Sequence, residues 1–196
     1  MAMKKTLLLL AVTLLSGCAS FGPTDSPEFF SMIQKSAGIN RADIKINSGV
    51  SWHKTDTDFC WHNIFEVNIL LLKSVLKCSP EQFENTNKIS NLPTEKAPNE
   101  YRGVLIATDN NINFFLWDEK TSTYVESGVL PINRIEKLEI KRQGLARIIR
   151  LTTKNTENRY YTLKLINAWG VETEKSDLLY EHIKGRAGKD LPVAVF

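Results

Sequence analysis

Apolar and polar residues alternate along the second half of the chain, which is typical of antiparallel strands with one buried face. The alternation is clearest from Arg147 to Thr153 and from Tyr160 to Ile166. Shorter apolar runs that also predict strands occur at Gly103 to Thr108, Ile112 to Trp117, Val129 to Ile132 and Ile135 to Lys141. Because Asp109-Asn110-Asn111 has the chemistry of a tight turn, the first two of these runs are predicted to form a hairpin. The pattern therefore predicts a meander of short antiparallel strands.

The period changes from two residues to that of a helix after the last of these strands. The residues that would share one helical face are Val171, Lys175, Leu178, Leu179, His182 and Ile183, and Gly185 predicts the end of the helix. On this face His182 is predicted to be a hydrogen-bonded core histidine rather than a ligand. The apolar residues from Leu191 to Phe196 predict either a last strand along a sheet edge or a frayed end.

The first half of the chain opens with a helix signal at Ser26-Pro27-Glu28, which supplies an N-cap, a proline at the first helical position and an acid in the first turn. Gly38 predicts the stop. The apolar stripe comprises Phe29, Phe30, Met32 and Ile33. Because the polar side lacks an excess of Lys and Arg, the stripe favours docking onto the core over binding to a membrane or a partner.

The rest of the first half is less regular. Ala42 to Asn47 predicts a short strand, and Phe59 to Cys78 fits both a strand and a helix. A polar connection with two prolines from Asn85 to Asn99 marks the clearest internal boundary. The predicted folded units are an N-terminal extension at 26–99, a domain at 100–186 and a tail at 187–196.

A meander closed by one amphipathic C-terminal helix resembles the pleckstrin-homology (PH) superfold, including its GRAM and bacterial PH-like members. The segment from Gly103 to Asp109 resembles the opening strand and turn of that fold, and Leu130 to Leu138 resembles its "ipxxxIxxv" segment. The resemblance covers Tyr101 to about Arg186. It implies an α+β fold, an antiparallel PH-like β-sandwich or partly open barrel capped by the C-terminal amphipathic helix, with an N-terminal helix-containing extension.

Within this superfold, phosphoinositide-binding members place Lys and Arg around the loop after the first strand. The corresponding residues here are Asp109, Asn110 and Asn111, so binding of such a headgroup is not expected. The resemblance then leaves a scaffold that docks peptides or protein surfaces, sometimes by adding a strand at a sheet edge.

The start of the chain has the layout of an export signal, with Lys4 and Lys5 followed by an apolar run from Leu7 to Leu15. Leu15-Ser16-Gly17-Cys18 resembles the bacterial lipobox. That resemblance implies that 1–17 is a lipoprotein signal peptide, that Cys18 becomes the first residue and receives acyl chains such as palmitate, and that 18–25 is a lipidated tether. Ala19 at the next position implies the periplasmic face of the outer membrane.

Loss of the signal peptide removes two lysines and lowers the formal charge of the chain from +3 to about +1. A nearly neutral protein in the envelope is not expected to bind nucleic acid. Cys60 and Cys78 would lie in an oxidising compartment, where a disulfide is the expected state. Such a bridge and a single straight helix between the two cysteines exclude each other, because the helix would separate them by about 27 Å.

One cluster has the side chains of a metal site. If Asp56, Asp58, Cys60 and His62 belong to one strand, they point to one face and, with His53 nearby, can supply ligands for zinc or copper. The spacing matches no standard metal motif, and Cys60 has a competing partner in Cys78. The alternative is a polar strand edge with Trp52, Phe59 and Trp61 packed inward.

No other motif indicates catalysis or a cofactor. The sequence contains neither a G-x-S-x-G turn nor a Walker loop. A basic region interspersed with Glu136 and Glu139 favours a solvated face, and it comprises Arg134, Lys137, Lys141, Arg142, Arg147 and Arg150. The predicted function is that of a non-catalytic lipoprotein that docks an envelope protein partner. Two alternatives remain, a carrier of lipid or a small apolar ligand, and a metal-dependent periplasmic enzyme centred on His53 to His62.

Overall fold

The computed structural model describes residues 24–58, 81, 100–154, 157, 159–167, 170–188 and 193–195. Two helices lie in these residues, α1 (Pro27–Ala37) and α2 (Thr173–Ala187), together with 3₁₀ turns at Arg41–Asp43 and Ile132–Arg134. The strands are β1 (Ile46–Thr55), β2 (Tyr101–Ala107), β3 (Asn111–Asp118), β4 (Thr123–Pro131), β5 (Ile135–Gln143), β6 (Ala146–Thr153), β7 (Tyr160–Asn167), β8 (Gly170–Val171) and β9 (Val193–Val195).

The strands form one hydrogen-bonded sheet in the order β4-β3-β2-β1-β7-β6-β5-β9, with β8 added to β7. Two meanders, β2 to β4 and β5 to β7, are joined by β1, which pairs antiparallel with both β2 and β7. The tail strand β9 pairs with β5, and it is the one parallel pairing within the described residues. Both meanders therefore depend on β1 as the strand that connects them.

The sheet curls around one apolar cluster, which is the main core. Leu130 on β4 and Leu138 on β5 come from opposite ends of the strand order, yet both belong to this core together with Trp52 of the central strand. Helix α2 completes the core by inserting Leu179 and Ile183, which are fully buried. The predicted α+β class, with an antiparallel sheet and a C-terminal helix, is confirmed.

Helix α1 covers the opposite face of β2, β3 and β4. The Ser26 hydroxyl accepts a hydrogen bond from the Phe29 amide at 3.1 Å, and Gly38 adopts a left-handed φ of 69° to end the helix. Phe29 and Ile33 are fully buried in a second apolar cluster that includes Phe115 of β3. The predicted docking of this helix onto the core is confirmed.

The face predicted for the C-terminal helix is only partly right. Leu179 and Ile183 are buried as expected, but Leu178 is 54% exposed and the buried aromatic residue is Tyr180. The helix also continues past Gly185 to Ala187. A run of adjacent leucines fits two neighbouring faces of a helix, so periodicity alone selects the wrong one of the pair.

The strand predictions for the second half are confirmed with small changes of boundary. The exception is β4, which begins at Thr123, six residues before the strand predicted from Val129. The tail residues Val193–Val195 form a strand, one of the two predicted alternatives.

The main difference from prediction lies in the first half. A 3₁₀ turn occupies Arg41–Asp43, and the strand predicted at Ala42 to Asn47 instead runs from Ile46 to Thr55. Because it is the central strand β1, the sheet extends across the predicted boundary at residue 99, and Gly103 to Thr108 is not the opening strand. Asp109 to Asn111 therefore belong to the turn between the second and third strands, and their lack of Lys and Arg gives no information about the loop after the first strand.

Several predicted residues lie outside the described ranges, namely Cys18, Cys60, Cys78 and His62. The lipid anchor and the disulfide consequently stay predictions. Among the described residues, no helix combines the length and hydropathy needed to cross a bilayer.

Candidate functional site

Polar side chains form a row across four adjacent strands on the side of the sheet that faces away from the main core. The register places His53 of β1 opposite Thr162 of β7, Thr162 opposite Arg150 of β6, and Arg150 opposite Glu139 of β5. All four residues are buried. A buried row of this composition requires partners for its charges, because an isolated buried charge is strongly unfavourable.

Arg150 obtains such partners from the segment that follows β1 and from the first residue of β7. Its guanidinium is 2% exposed, forms an ion pair with the Asp58 carboxylate and lies 4.8 Å from the centre of the Tyr160 ring. The predicted solvated basic face is therefore wrong at this position, and it is also wrong for Lys141 and Glu139, which are both buried. The pattern of charges along one strand does not reveal burial that depends on segments distant in sequence.

Glu100 provides a second charged group next to the row. Its carboxylate accepts hydrogen bonds from the Ser51 hydroxyl and, at 3.1 Å, from Nε of Arg102. Burial tends to raise the pKa of Glu100, but these hydrogen bonds and the electrostatic influence of Arg102 and His53 lower it below its ordinary value of 4.5. The carboxylate thus ties the start of β2 to the buried side of β1.

The lowered pKa predicts a pH-dependent contribution of Glu100 to stability. The ionised carboxylate stabilises the folded state above the unfolded pKa, and this contribution is lost as the pH falls through the folded pKa. We expect Glu100→Gln to lower the urea midpoint near neutral pH, and the two midpoints to converge as the pH falls from about 5 to about 3. The exposed Glu119→Gln should leave the midpoint unchanged, and a constant gap for Glu100→Gln across this range would contradict the prediction.

Of the four predicted metal ligands, only Asp56 and Asp58 lie within the described residues, so the metal site stays a prediction. The strand ends at Thr55, so the alternation that would align Asp56 and Asp58 does not continue to them. Asp56 is exposed and accepts a hydrogen bond from Thr57, while Asp58 pairs with Arg150. No cluster of three or more metal-binding side chains exists in the described part of the chain.

The two edges of the sheet differ in how they are covered. At the β5 edge the tail strand β9 supplies hydrogen-bonding partners. At the other edge, β4 pairs with β3 and with no further strand among the described residues. Two of its side chains, Val125 and Val129, are 50% and 45% exposed. Edge position and exposed apolar side chains together make β4 a surface suited to strand addition.

Helix α2 closes the end of the sheet at which the β2–β3 turn lies. Nε2 of His182 is 2.8 Å from the Thr108 carbonyl oxygen, and Arg186 pairs with Asp109 in the same turn. Lys45 lies 3.5 Å from the other carboxylate oxygen of Asp109. The predicted hydrogen bond of His182 is confirmed, although the residue is half-buried rather than enclosed in the core.

The β4 edge was not singled out by residue chemistry in the sequence. The edge position of β4 depends on the order of strands, which a list of strands does not determine. The exposed valines are the one local signal, since apolar residues on both sides of a strand are unusual where one face meets solvent.

No protein-family model matches the chain, and no curated protein matches it significantly. Among solved structures, the chain is similar to the PH domain of Slm1 in complex with inositol-4-phosphate, with 9% identity, a TM-score of 0.38, and coverage of 74% of this chain and 97% of that one. It is also similar to the hSac2 domain from human phosphoinositide phosphatase Sac2, with 14% identity, a TM-score of 0.41, and coverage of 88% and 90%. Scores below 0.5 do not establish a common fold, so the architecture rests on the strand pairing.

Proposed function

We propose that this protein is a lipid-anchored docking module of the outer membrane, in which a PH-like domain binds an extended segment of a periplasmic protein along β4. The PH-like assignment is supported by the two meanders and the closing helix α2. The anchor is supported by the resemblance of Leu15-Ser16-Gly17-Cys18 to a lipobox. The docking role depends on one observation, the β4 edge, with which no further strand pairs in the described part of the chain.

The open edge offers backbone and side-chain contacts to the same partner. A strand edge presents unpaired N–H and C=O groups, which an added strand satisfies. Val125 pairs with Leu116, on the core side of the sheet, whereas Val129 pairs with Asn113, on the side that faces away from the main core. A shift of register at Phe114/Phe115 separates the two positions. The partner is therefore expected to be an extended segment with an apolar side chain toward each face.

Site-specific photocrosslinking in intact cells tests the docking site. A photoreactive amino acid at Val125 or Val129 should give the same discrete adduct, and at the exposed Glu157 in the β6–β7 connection it should give none. A Val125→Lys/Val129→Lys variant should lose the interaction about tenfold or more without a change in unfolding midpoint, because charged side chains on an edge oppose strand addition. Adducts of equal yield at all three positions would refute the β4 site.

Fractionation of a Cys18→Ser variant tests the anchor separately. The wild-type protein should sediment with outer membranes, and the variant should appear as an unprocessed or soluble form, since stable attachment requires acyl chains. Mature Cys18→Ser protein that still sediments with membranes would contradict the anchor. In purified protein, bound lipid would favour the carrier alternative, and stoichiometric zinc or copper would favour the metal-dependent enzyme.

A further inference from the structure

The first two described residues, Thr24 and Asp25, are hydrogen-bonded to the folded domain. The Asn47 side chain donates hydrogen bonds of 2.7 Å to the Thr24 carbonyl oxygen and 2.7 Å to the Asp25 carboxylate. The same carboxylate lies 3.9 Å from Nζ of Lys175. The segment that leads back to Cys18 therefore departs beside the start of β1 and the first turn of α2.

The strand directions place further elements at this end of the sheet. Gly49 near the start of β1 pairs with Ile166 near the end of β7, and β7 in turn is antiparallel to β6. The start of β6, and with it the β5–β6 turn that contains Leu145, thus lies at the same end. The Thr173 hydroxyl, in the first turn of α2, donates a 2.5 Å hydrogen bond to the Leu145 carbonyl oxygen.

Two exposed leucines lie on this end. Leu145 is 78% exposed and Leu178 is 54% exposed, and they are two of the four large apolar residues that are exposed in the described ranges. Gly144, with a φ of +56°, allows the tight turn that projects Leu145. An ion pair of 3.2 Å between Arg147 and Asp177, each close in sequence to one leucine, holds the turn against α2.

We propose that this end of the domain lies against the bilayer, with Leu145 and Leu178 inserted at the boundary between headgroups and acyl chains. The inference rests on the proposed anchor at Cys18. Six residue steps separate Cys18 from Thr24, so the anchor holds this end within about 20 Å of the lipid surface. At the high effective concentration that a short tether imposes, two apolar side chains suffice to set the orientation.

The surrounding charges indicate an apolar contact rather than an electrostatic one. Glu174 and Glu181, each exposed one turn from Leu178, are balanced in number by Lys175 and Lys184. Beside Leu145, Arg147 pairs with Asp177 and Arg142 is exposed, so only a small net charge surrounds the two leucines. Attraction to anionic lipid is therefore weak at this surface. The orientation should be the same on neutral and anionic vesicles.

Quenching of introduced tryptophans by brominated acyl chains tests the orientation in reconstituted full-length protein. We expect the added emission of Leu145→Trp to fall about two-fold on vesicles of brominated phosphatidylethanolamine and phosphatidylglycerol, because interfacial side chains reach the acyl boundary. The matched control is Glu119→Trp in the β3–β4 turn at the opposite end, which should not be quenched. Equal quenching of both, or quenching of the control alone, would overturn the inference.

A second sample separates this inference from the anchor. Residues 19–196 carrying an N-terminal histidine tag attach to vesicles with nickel-chelating lipid whether or not Cys18 is modified in cells. Quenching of Leu145→Trp in this sample supports the orientation even if fractionation refutes the anchor. Absence of quenching in both samples refutes the orientation and leaves the anchor standing.

Discussion

Replacement of Gly103 by alanine is expected to destabilise the protein by about 3 kcal/mol or more. Gly103 lies in β2, opposite Val50 of the central strand. A Cβ atom at this position would overlap the backbone carbonyl oxygen of Phe115 in β3 and lie 3.0 Å from its carbonyl carbon. A backbone group cannot rotate away as a side chain does, so β2 and β3 would have to separate locally.

Gly128→Ala is the matched control, because it introduces the same methyl group into β4, another strand of the same sheet. No atom lies within 4 Å of a Cβ built on Gly128. Its effect is expected to stay within about 1 kcal/mol and can be slightly stabilising, since alanine reduces the freedom of the unfolded chain. Urea unfolding of both variants measures the difference, and equal free energies of unfolding would contradict the close approach of β2 and β3.

Phe29→Ala should have a comparable effect at the other apolar cluster, with a loss of about 3–5 kcal/mol. The Phe29 ring is fully buried between α1 and the sheet, with its centroid 5.3 Å from that of Tyr124 in an edge-to-face arrangement. Its removal leaves a cavity that Phe30, on the adjacent position of α1, cannot fill without unwinding the helix. We expect α1 to detach at lower denaturant than the rest of the domain unfolds.

The control for this variant is Lys35→Ala, an exposed position on the same helix. It should change the free energy of unfolding by no more than about 0.5 kcal/mol. Hydrogen exchange resolves the mechanism, because loss of α1 docking accelerates exchange in α1 and at Val104 to Ile106 while β5 to β7 stay protected. Uniform acceleration across the chain would argue against a separately docked helix.

Local signals predicted α1 and the second meander, because the sequence signal for each lies within a few consecutive residues. Ser26, Pro27 and Gly38 mark both ends of α1, and the alternation in β6 and β7 follows from burial of one face. The central strand β1 has no such signal. Ser48, Ser51 and His53 are buried in it nearly as fully as Val50, so a strand enclosed on both faces contains polar residues where apolar ones are expected.

The candidate surfaces were predictable only in part for the same reason. A role in strand addition followed from the resemblance to a family, but the choice of β4 required the order of strands. The burial of Arg150 depends on Asp58, which follows β1, and on Tyr160, which begins β7, and both are distant from Arg150 or on another strand. The exposure of Leu178 depends on the orientation of α2 about its own axis against the core, which the sequence of the helix does not specify.

The position of β1 also sets the order in which the protein can acquire its structure. In the sequence, β1 is separated from β2 by 45 residues and from β7 by more than a hundred. The pairing of Gly49 with Ile166 spans the longer separation. Pairings between such distant segments form slowly, because the entropy of closing a large loop is lost before any contact stabilises the pairing. A nascent chain that ends before β7 therefore leaves its central strand with a partner on one side only.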